Sequence, residues 1–178
     1  TAVIFPVRRN VWINRRKGQY RIKDNFLAFW FRFVYPMRSF IESDHPEIAM
    51  TKLKTGFIPN HVGYVYEDIC RQKMWELNAQ GKLPFLFDRV GRWWGGKDTE
   101  IDIVAIDTTD RSKIIFGECK FHQNVPMQLS ELHQLKEKAA VVPWGNANRD
   151  EYFALFCISG YSEDLQQLAQ EDSHLLLM

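Results

Sequence analysis

The reading of this chain turns on Thr99-Glu100-Ile101-Asp102-Ile103-Val104-Ala105-Ile106 and, across a break that includes Asp107-Thr108-Thr109-Asp110, on Lys113-Ile114-Ile115-Phe116-Gly117-Glu118-Cys119-Lys120. Both runs are rich in β-branched residues and the break is rich in turn-formers, which predicts two adjacent antiparallel strands. Side chains alternate across a strand, so Glu118 and Lys120 share one face and Cys119 takes the other. The same parity puts Glu100, Asp102, Val104 and Ile106 on one face of the first strand. A carboxylate in the middle of one apolar strand then falls beside a Glu-x-Lys pair on its neighbour. Burying three such charges is costly unless they pair or hold a metal. That cost is what points to chemistry.

A chain of 178 residues suits one domain with a sizeable core, or one domain and a small appendage. Its 46% hydrophobic and 14% aromatic content argues for a folded protein rather than a disordered one. No apolar run reaches the length of about 20 residues that a membrane-spanning helix needs. The first residue is Thr1 rather than Met and no signal peptide precedes it, so a processed or excised piece of a longer chain is expected. Cys70, Cys119 and Cys157 are an odd number without paired spacing, which suggests neither a disulfide framework nor a zinc ribbon and fits a reducing, cytoplasmic setting.

The net charge of +1 conceals an asymmetry. Residues 1–40 carry nine Lys or Arg against the single acid Asp24, and the remainder carry fourteen against twenty-one. A basic front suits nucleic-acid phosphates. It equally suits an acidic partner or the acidic body of the same chain.

In chain order, residues 3–23 read as two short strands, at 3–5 and 20–22, around a loop bearing Arg15, Arg16 and Lys17. Such a basic hairpin is similar to the wing of a winged-helix domain, and it also reads as an ordinary hairpin with a solvated tip. Asp24 is the expected N-cap of a helix over 25–35 that ends near Pro36. Apolar residues surround that helix almost completely, which predicts burial and leaves Arg32 to snorkel or find an acid. Pro46 and Glu47 are expected to open a short helix, and a longer one follows from 59 to 77 with Asn60 as candidate cap. On it Gly63, Glu67, Cys70 and Met74 form one stripe, which embeds Glu67 among small or apolar residues and marks it for function, while Asp68 and Arg71 fall on a wetter flank. A strand is expected over 84–92, a hairpin turn at Trp93-Trp94-Gly95-Gly96-Lys97-Asp98, an amphipathic helix over 128–141, a buried strand over 152–159, and a last helix over 163–170 capped by Ser162. The tail at 175–178 reads as a further strand or a free edge.

The resulting order is helix, three strands, helix, strand, helix, with Glu67 on the first helix, Asp102 on the second strand, and Glu118 and Lys120 on the third. This resembles the PD-(D/E)xK nuclease superfamily of restriction endonucleases and Holliday-junction resolvases. The proline of the nominal motif is absent, since Ile101 precedes Asp102, whereas Glu118-Cys119-Lys120 matches the E-x-K element. The resemblance implies an α/β, restriction-endonuclease-like αβββαβα core with a mixed central sheet. It also implies Mg²⁺ or Mn²⁺ held by Asp102 and Glu118, with Glu67 reaching in directly or through water and the Cys119 carbonyl adding an oxygen. Lys120 would orient the attacking water or stabilise developing charge. Glu100 is an auxiliary ligand or a partner for Lys120. Arg92 and Trp93 join Arg15, Arg16 and Lys17 as candidate nucleic-acid contacts, Trp93 by stacking on a base or, alternatively, closing a hairpin against the core.

A narrower likeness follows from Tyr20-Arg21-Ile22-Lys23-Asp24-Asn25-Phe26-Leu27-Ala28-Phe29-Trp30-Phe31-Arg32-Phe33-Val34-Tyr35-Pro36, together with Gly91-Arg92-Trp93-Trp94, Glu100-Ile101-Asp102 and Gly117-Glu118-Cys119-Lys120. These blocks resemble an uncharacterised C-terminal domain of prokaryotic DEXX-box AAA-type ATPases, from about Phe5 to the end. That likeness implies an ATPase module and a winged helix ahead of Thr1 in the parent protein. The present sequence has no G-x-x-x-x-G-K-[ST] loop, so it is not expected to bind or hydrolyse ATP itself. The chain divides into a basic wing-like hairpin (1–23), a helical connector packing on the core (24–58) and the nuclease-like domain (59–178). Two functions compete: a metal-dependent nuclease acting on DNA, and an inactive nuclease-like module that binds DNA or regulates the ATPase, with Lys120 neutralising the acids. A Ser or Cys hydrolase is disfavoured because Cys119 faces the core, and His122 reads as an exposed residue at a strand end.

Overall fold

The structure, a computed structural model, describes residues 4–7, 19–95, 99–145 and 148–178. Two short strands, β1 (Ile4–Val7) and β2 (Gln19–Ile22), pair antiparallel, with Ile4 opposite Ile22. Its expected tip, with Arg15, Arg16 and Lys17, lies outside the described residues.

Asp24 caps α1 (Asn25–Phe29), its Oδ1 accepting from the Leu27 N–H at 2.9 Å. The chain stays helical past Pro36, through a π-helical turn at Trp30–Val34, a 3₁₀ turn at Tyr35–Met37 and α2 (Arg38–Glu42). Proline is tolerated there because it falls in the first turn of the 3₁₀ segment, where its missing N–H is not needed. The expected burial of this helix is overturned: it has no buried residue, and Phe26 is 66% exposed. Only its inner side is covered, where Phe29 and Phe33 meet Phe57 and His61 in a ring cluster with centroids 5.5–6.2 Å apart. Arg32 is exposed.

Helix α3 (Pro46–Phe57) opens at Pro46 and Glu47, but it is twelve residues long rather than short. It runs through a π-helical turn at Ile58–Val62 directly into α4 (Gly63–Ala79), so Asn60 is not a cap. The missing N–H of Pro59 interrupts the regular hydrogen-bond ladder, and a widened turn takes up the interruption without ending the helix.

The body is a five-stranded sheet in the order β3 (Arg89–Gly95), β4 (Thr99–Ile106), β5 (Lys113–Lys120), β6 (Asp150–Cys157), β7 (Leu175–Leu177). β4 runs antiparallel to both of its neighbours, β3 and β5, and β5, β6 and β7 run parallel through the crossover helices α5 (Leu129–Ala140) and α6 (Glu163–Glu171). Leu132 and Leu135 of α5 and Leu165 of α6 pack with Trp93, Val104, Phe116 and Leu155 on one face. On the other face Cys70 and Met74 of α4 pack with Ile103, Ala105, Ile115 and Phe156. The chain is therefore an α/β fold with helices on both faces of a mixed sheet.

Strands β4 and β5 occupy the expected ranges. Strand β3 starts later than expected and takes in Trp93 and Trp94 in place of a turn; the Trp93 ring is buried in the layer under α5, and Trp94 is half-buried. Ser162 occupies the N-cap position of α6, but its buried hydroxyl makes no hydrogen bond.

Gly117 sits where three strands crowd together: a Cβ there would lie 2.9 Å from Ile103 Cβ and 3.1 Å from the Ala154 carbonyl oxygen. Gly117→Ala is expected to cost about 1–3 kcal/mol. The check is thermal unfolding, where an unchanged midpoint would contradict the tight approach.

Candidate functional site

Strands β4 and β5 pair from Ile106↔Ile114 to Ile103↔Gly117, and beyond that pair the ladder ends. Asp102 Oδ2 accepts the Cys119 N–H at 3.0 Å, so a side-chain carboxylate bridges the two strands just past the last backbone pair. On the other side of β4, Gly91 pairs with Val104 while Trp93 pairs with Ile101, which leaves Arg92 facing both Asp102 and Ile103. This is a β-bulge, a feature that re-aims side chains.

The bulge corrects the strict alternation expected for β4. Ile101, Val104 and Ile106 fall in the layer under α5 and α6, whereas Ile103 and Ala105 fall in the layer under α4. Glu100 and Asp102 consequently do not share a face with Val104 and Ile106. Both instead meet Arg92 alongside Glu67 of α4. Parity on β5 holds: Cys119 packs in the layer under α4, and Glu118 lies with Lys120 and with Lys138 of α5.

Two ion-pair groups result, with Asp102 between them. On the α4 side Arg92 is ion-paired with Glu67, reaches Glu100 Oε1 at 2.8 Å and stands 3.8 Å from Asp102 Oδ1, with its guanidinium 5.2 Å from the centre of the Tyr64 ring. Arg71 pairs with Asp68, approaches Glu67 Oε2 at 3.6 Å and donates to the Asp102 carbonyl oxygen at 3.3 Å. On the α5 side Lys120 Nζ and Lys138 Nζ hold the two oxygens of Glu118 at 2.7 and 3.0 Å.

The electrostatics mark Asp102 as the strained member. Burial, then the neighbouring negative charges of Glu118 and Glu67, push its pKa up to about 7 against the opposing pull of the Cys119 N–H and Arg92. Burial likewise raises Glu67, more than Arg92 and Arg71 lower it. For Arg92 burial works against the charge, and Glu67, Glu100 and Asp102 together overcome it, so its pKa lies above the ordinary value. Lys120 follows the same pattern, with Glu118 and then Asp102 outweighing burial. Burial and the adjacent Cys70 push the Cys119 thiol well up, which suits a core residue and not a nucleophile.

As donors, Glu67, Asp102, Glu118 and the Cys119 carbonyl suit a hard divalent cation, and the uncompensated charge at Asp102 is what such an ion would relieve. As arranged, no three His, Cys, Asp or Glu side chains among the described residues are clustered to share an ion. The guanidinium of Arg92 reaches both Glu67 and Asp102, and two lysines occupy Glu118. The chemistry of the set fits the metal, and the fit requires these cations to yield.

Two expected nucleic-acid contacts are corrected. Trp93 is only 4% exposed and packs in the layer under α5, leaving no free ring face for a base. Arg92 has a side chain 7% exposed and is engaged with carboxylates rather than turned to solvent. His122 is exposed, as expected of a strand end. Sequence reasoning gave Arg71 no role at the site, although its spacing from Glu67 was a usable signal. It also missed Lys138, whose approach to Glu118 depends on how α5 crosses the sheet.

Asp102 generates a pH prediction. Its folded pKa of about 7 exceeds the ordinary 3.8, so the folded protein holds that proton more tightly than the unfolded chain. The resulting stability is complete below 3.8 and is lost as the pH rises through about 7. With EDTA present, the melting temperature of Asp102→Asn minus that of the wild type should rise across this window and level off above it. A difference independent of pH would contradict the assignment.

A match to the family DUF234, described as "Archaea bacterial proteins of unknown function", covers residues 30–139. The protein "Uncharacterized protein MJECL04" of Methanocaldococcus jannaschii is 33% identical over 144 residues, which are 80% of this chain. The aligned region spans only 31% of that protein. No solved structure matches. No helix among the described residues is long and apolar enough to cross a membrane. The family match reaches from the exposed aromatic helix through β3, β4, β5 and most of α5, and the chain belongs to the DUF234 family.

Proposed function

We infer that this chain is a metal-dependent phosphodiesterase module with a restriction-endonuclease-like core, acting on DNA as the C-terminal part of a DEXX-box AAA-type ATPase. The observation that carries the reading is the grouping of Glu67 from α4, Asp102 from β4, and Glu118 and Lys120 from β5 around the parting of two strands. The element order α4, β3, β4, β5, α5, β6, α6 supports the αβββαβα core. The ATPase context rests on the resemblance of the sequence blocks and agrees with a relative about three times longer than the aligned region. An ATPase module and a winged helix in the parent chain are the proposed partners, with DNA the proposed substrate.

In this mechanism Asp102 and Glu118 would be the direct ligands of Mg²⁺ or Mn²⁺, with Glu67, directly or through water, and the Cys119 carbonyl completing the protein's oxygen set. Such an ion lowers the pKa of bound water and polarises a phosphate. The bulge and the Cys119 N–H fix where Asp102 points. Arg71 steadies Glu67 and the backbone at Asp102. Lys120 orients the attacking water or offsets charge developing on the phosphate, a role that suits its firmly retained proton. Lys138 steadies Glu118 from the far side.

One observation favours a second reading. Glu118 already has two lysines and Glu67 two arginines, which suits an inactive module whose former site has become a structural ion-pair cluster.

Cleavage of linear, branched and single-stranded DNA with Mg²⁺ or Mn²⁺ separates the two. The nuclease reading expects cleavage that falls on the order of 10²-fold or more in Asp102→Ala and in Glu118→Ala. Cleavage unchanged in both variants removes the site. Absence of cleavage on every substrate, combined with lowered stability of both variants, favours the inactive module.

A further inference from the structure

We propose that Arg92 is a resident cation that closes the carboxylate site, and that a divalent ion and the Arg92 guanidinium compete for Glu67 and Asp102. This rests on the metal-site reading above and adds a device for how that site opens.

The competition follows from the shape of the cluster. A guanidinium is a planar fork that serves two carboxylates well and a third poorly. Arg92 is ion-paired with Glu67 and with Glu100, yet stands 3.8 Å from Asp102 Oδ1. Asp102 is thus left the least compensated acid, although it is the one that also bridges to β5. A divalent ion carries twice the charge and gathers oxygens from several directions at about 2.0–2.1 Å for Mg²⁺. It can satisfy Glu67 and Asp102 together where the fork cannot.

The structure also supplies a second seat for the arginine. The side chains of Glu67 and Asp102 are 12% and 18% exposed, whereas that of Glu100 is 48% exposed on the rim. Arg92 can leave the two inner acids and keep Glu100, so opening the site does not strand a buried charge, the usual cost of breaking such a pair. The bulge makes the arrangement a built one, because it sets Arg92 directly across from Asp102.

Mn²⁺ titration by calorimetry, on the whole chain, is the test, with wild type, Arg92→Gln and Asp102→Asn compared. Competition expects Arg92→Gln to bind Mn²⁺ about tenfold tighter or more than wild type, as removal of a competing buried ion pair would. Asp102→Asn should lose that binding. Equal or weaker binding by Arg92→Gln, while wild type binds through Asp102, overturns the competition and leaves the metal site standing. Absence of Asp102-dependent binding in both wild type and Arg92→Gln overturns the two together. Should Arg92→Gln fail to fold, ¹⁵N side-chain NMR of the wild type decides. The Arg92 signal, assigned with Arg92→Lys, should shift as Mg²⁺ saturates the site, because its contacts with Glu67 and Asp102 are exchanged for Glu100 alone. A signal unchanged at saturation, or a wild type that takes up no Mg²⁺, overturns the proposal.

Discussion

Carboxylates gathered at the edge of a sheet's interior repel one another through a medium that screens poorly, and everything distinctive about this protein answers that constraint. Glu67, Asp102 and Glu118 arrive from a helix and two strands, and each has a cation within reach. Five-donor arginines serve the α4 side and lysines the α5 side. Asp102 sits at the seam, where burial and then the charges of Glu118 and Glu67 raise its pKa by more than the Cys119 N–H and Arg92 lower it. Compensation in the cluster is therefore uneven, and Asp102 receives the least of it.

The strands that carry the cluster were legible in the sequence because their β-branched runs are long and sharply bounded, and β4 and β5 lie where those runs do. The setting of Glu67 was legible because helical spacing puts it in one stripe with Gly63, Cys70 and Met74, of which Cys70 and Met74 are buried. The parity argument failed at Asp102 for a definite reason. A bulge inserts one residue, which reverses the faces on either side of it, and a bulge is fixed by strand pairing rather than by local composition. The hub role of Arg92 was illegible for the same reason, since it exists only once β3 and β4 are in register. Lys138 required the crossover geometry of α5.

The helical segment teaches a different lesson. Dense aromatic residues from Phe26 to Tyr35 imply a core in any count of hydrophobicity, yet the described structure buries none of them fully. Composition reports what a surface would gain by being covered; it does not name the cover. Similarly, Pro59 and Asn60 look like a helix start, and the chain instead passes through them in one helical path. Proline cancels one backbone donor, and a widened turn absorbs that loss more cheaply than a full stop and restart.

That unbroken path has a mechanical implication. From Pro46 to Ala79 the backbone is helical throughout, with the ring cluster at Phe57 and His61 on one part of it and Glu67 on another. Nine residues lie between Phe57 and Glu67, five in the π-helical turn and four in α4, so one continuous helical strut joins the two. A ligand or domain that gripped the aromatic rings would thereby have a lever on a carboxylate it never touches, shifting Glu67 along the strut's axis relative to its arginines.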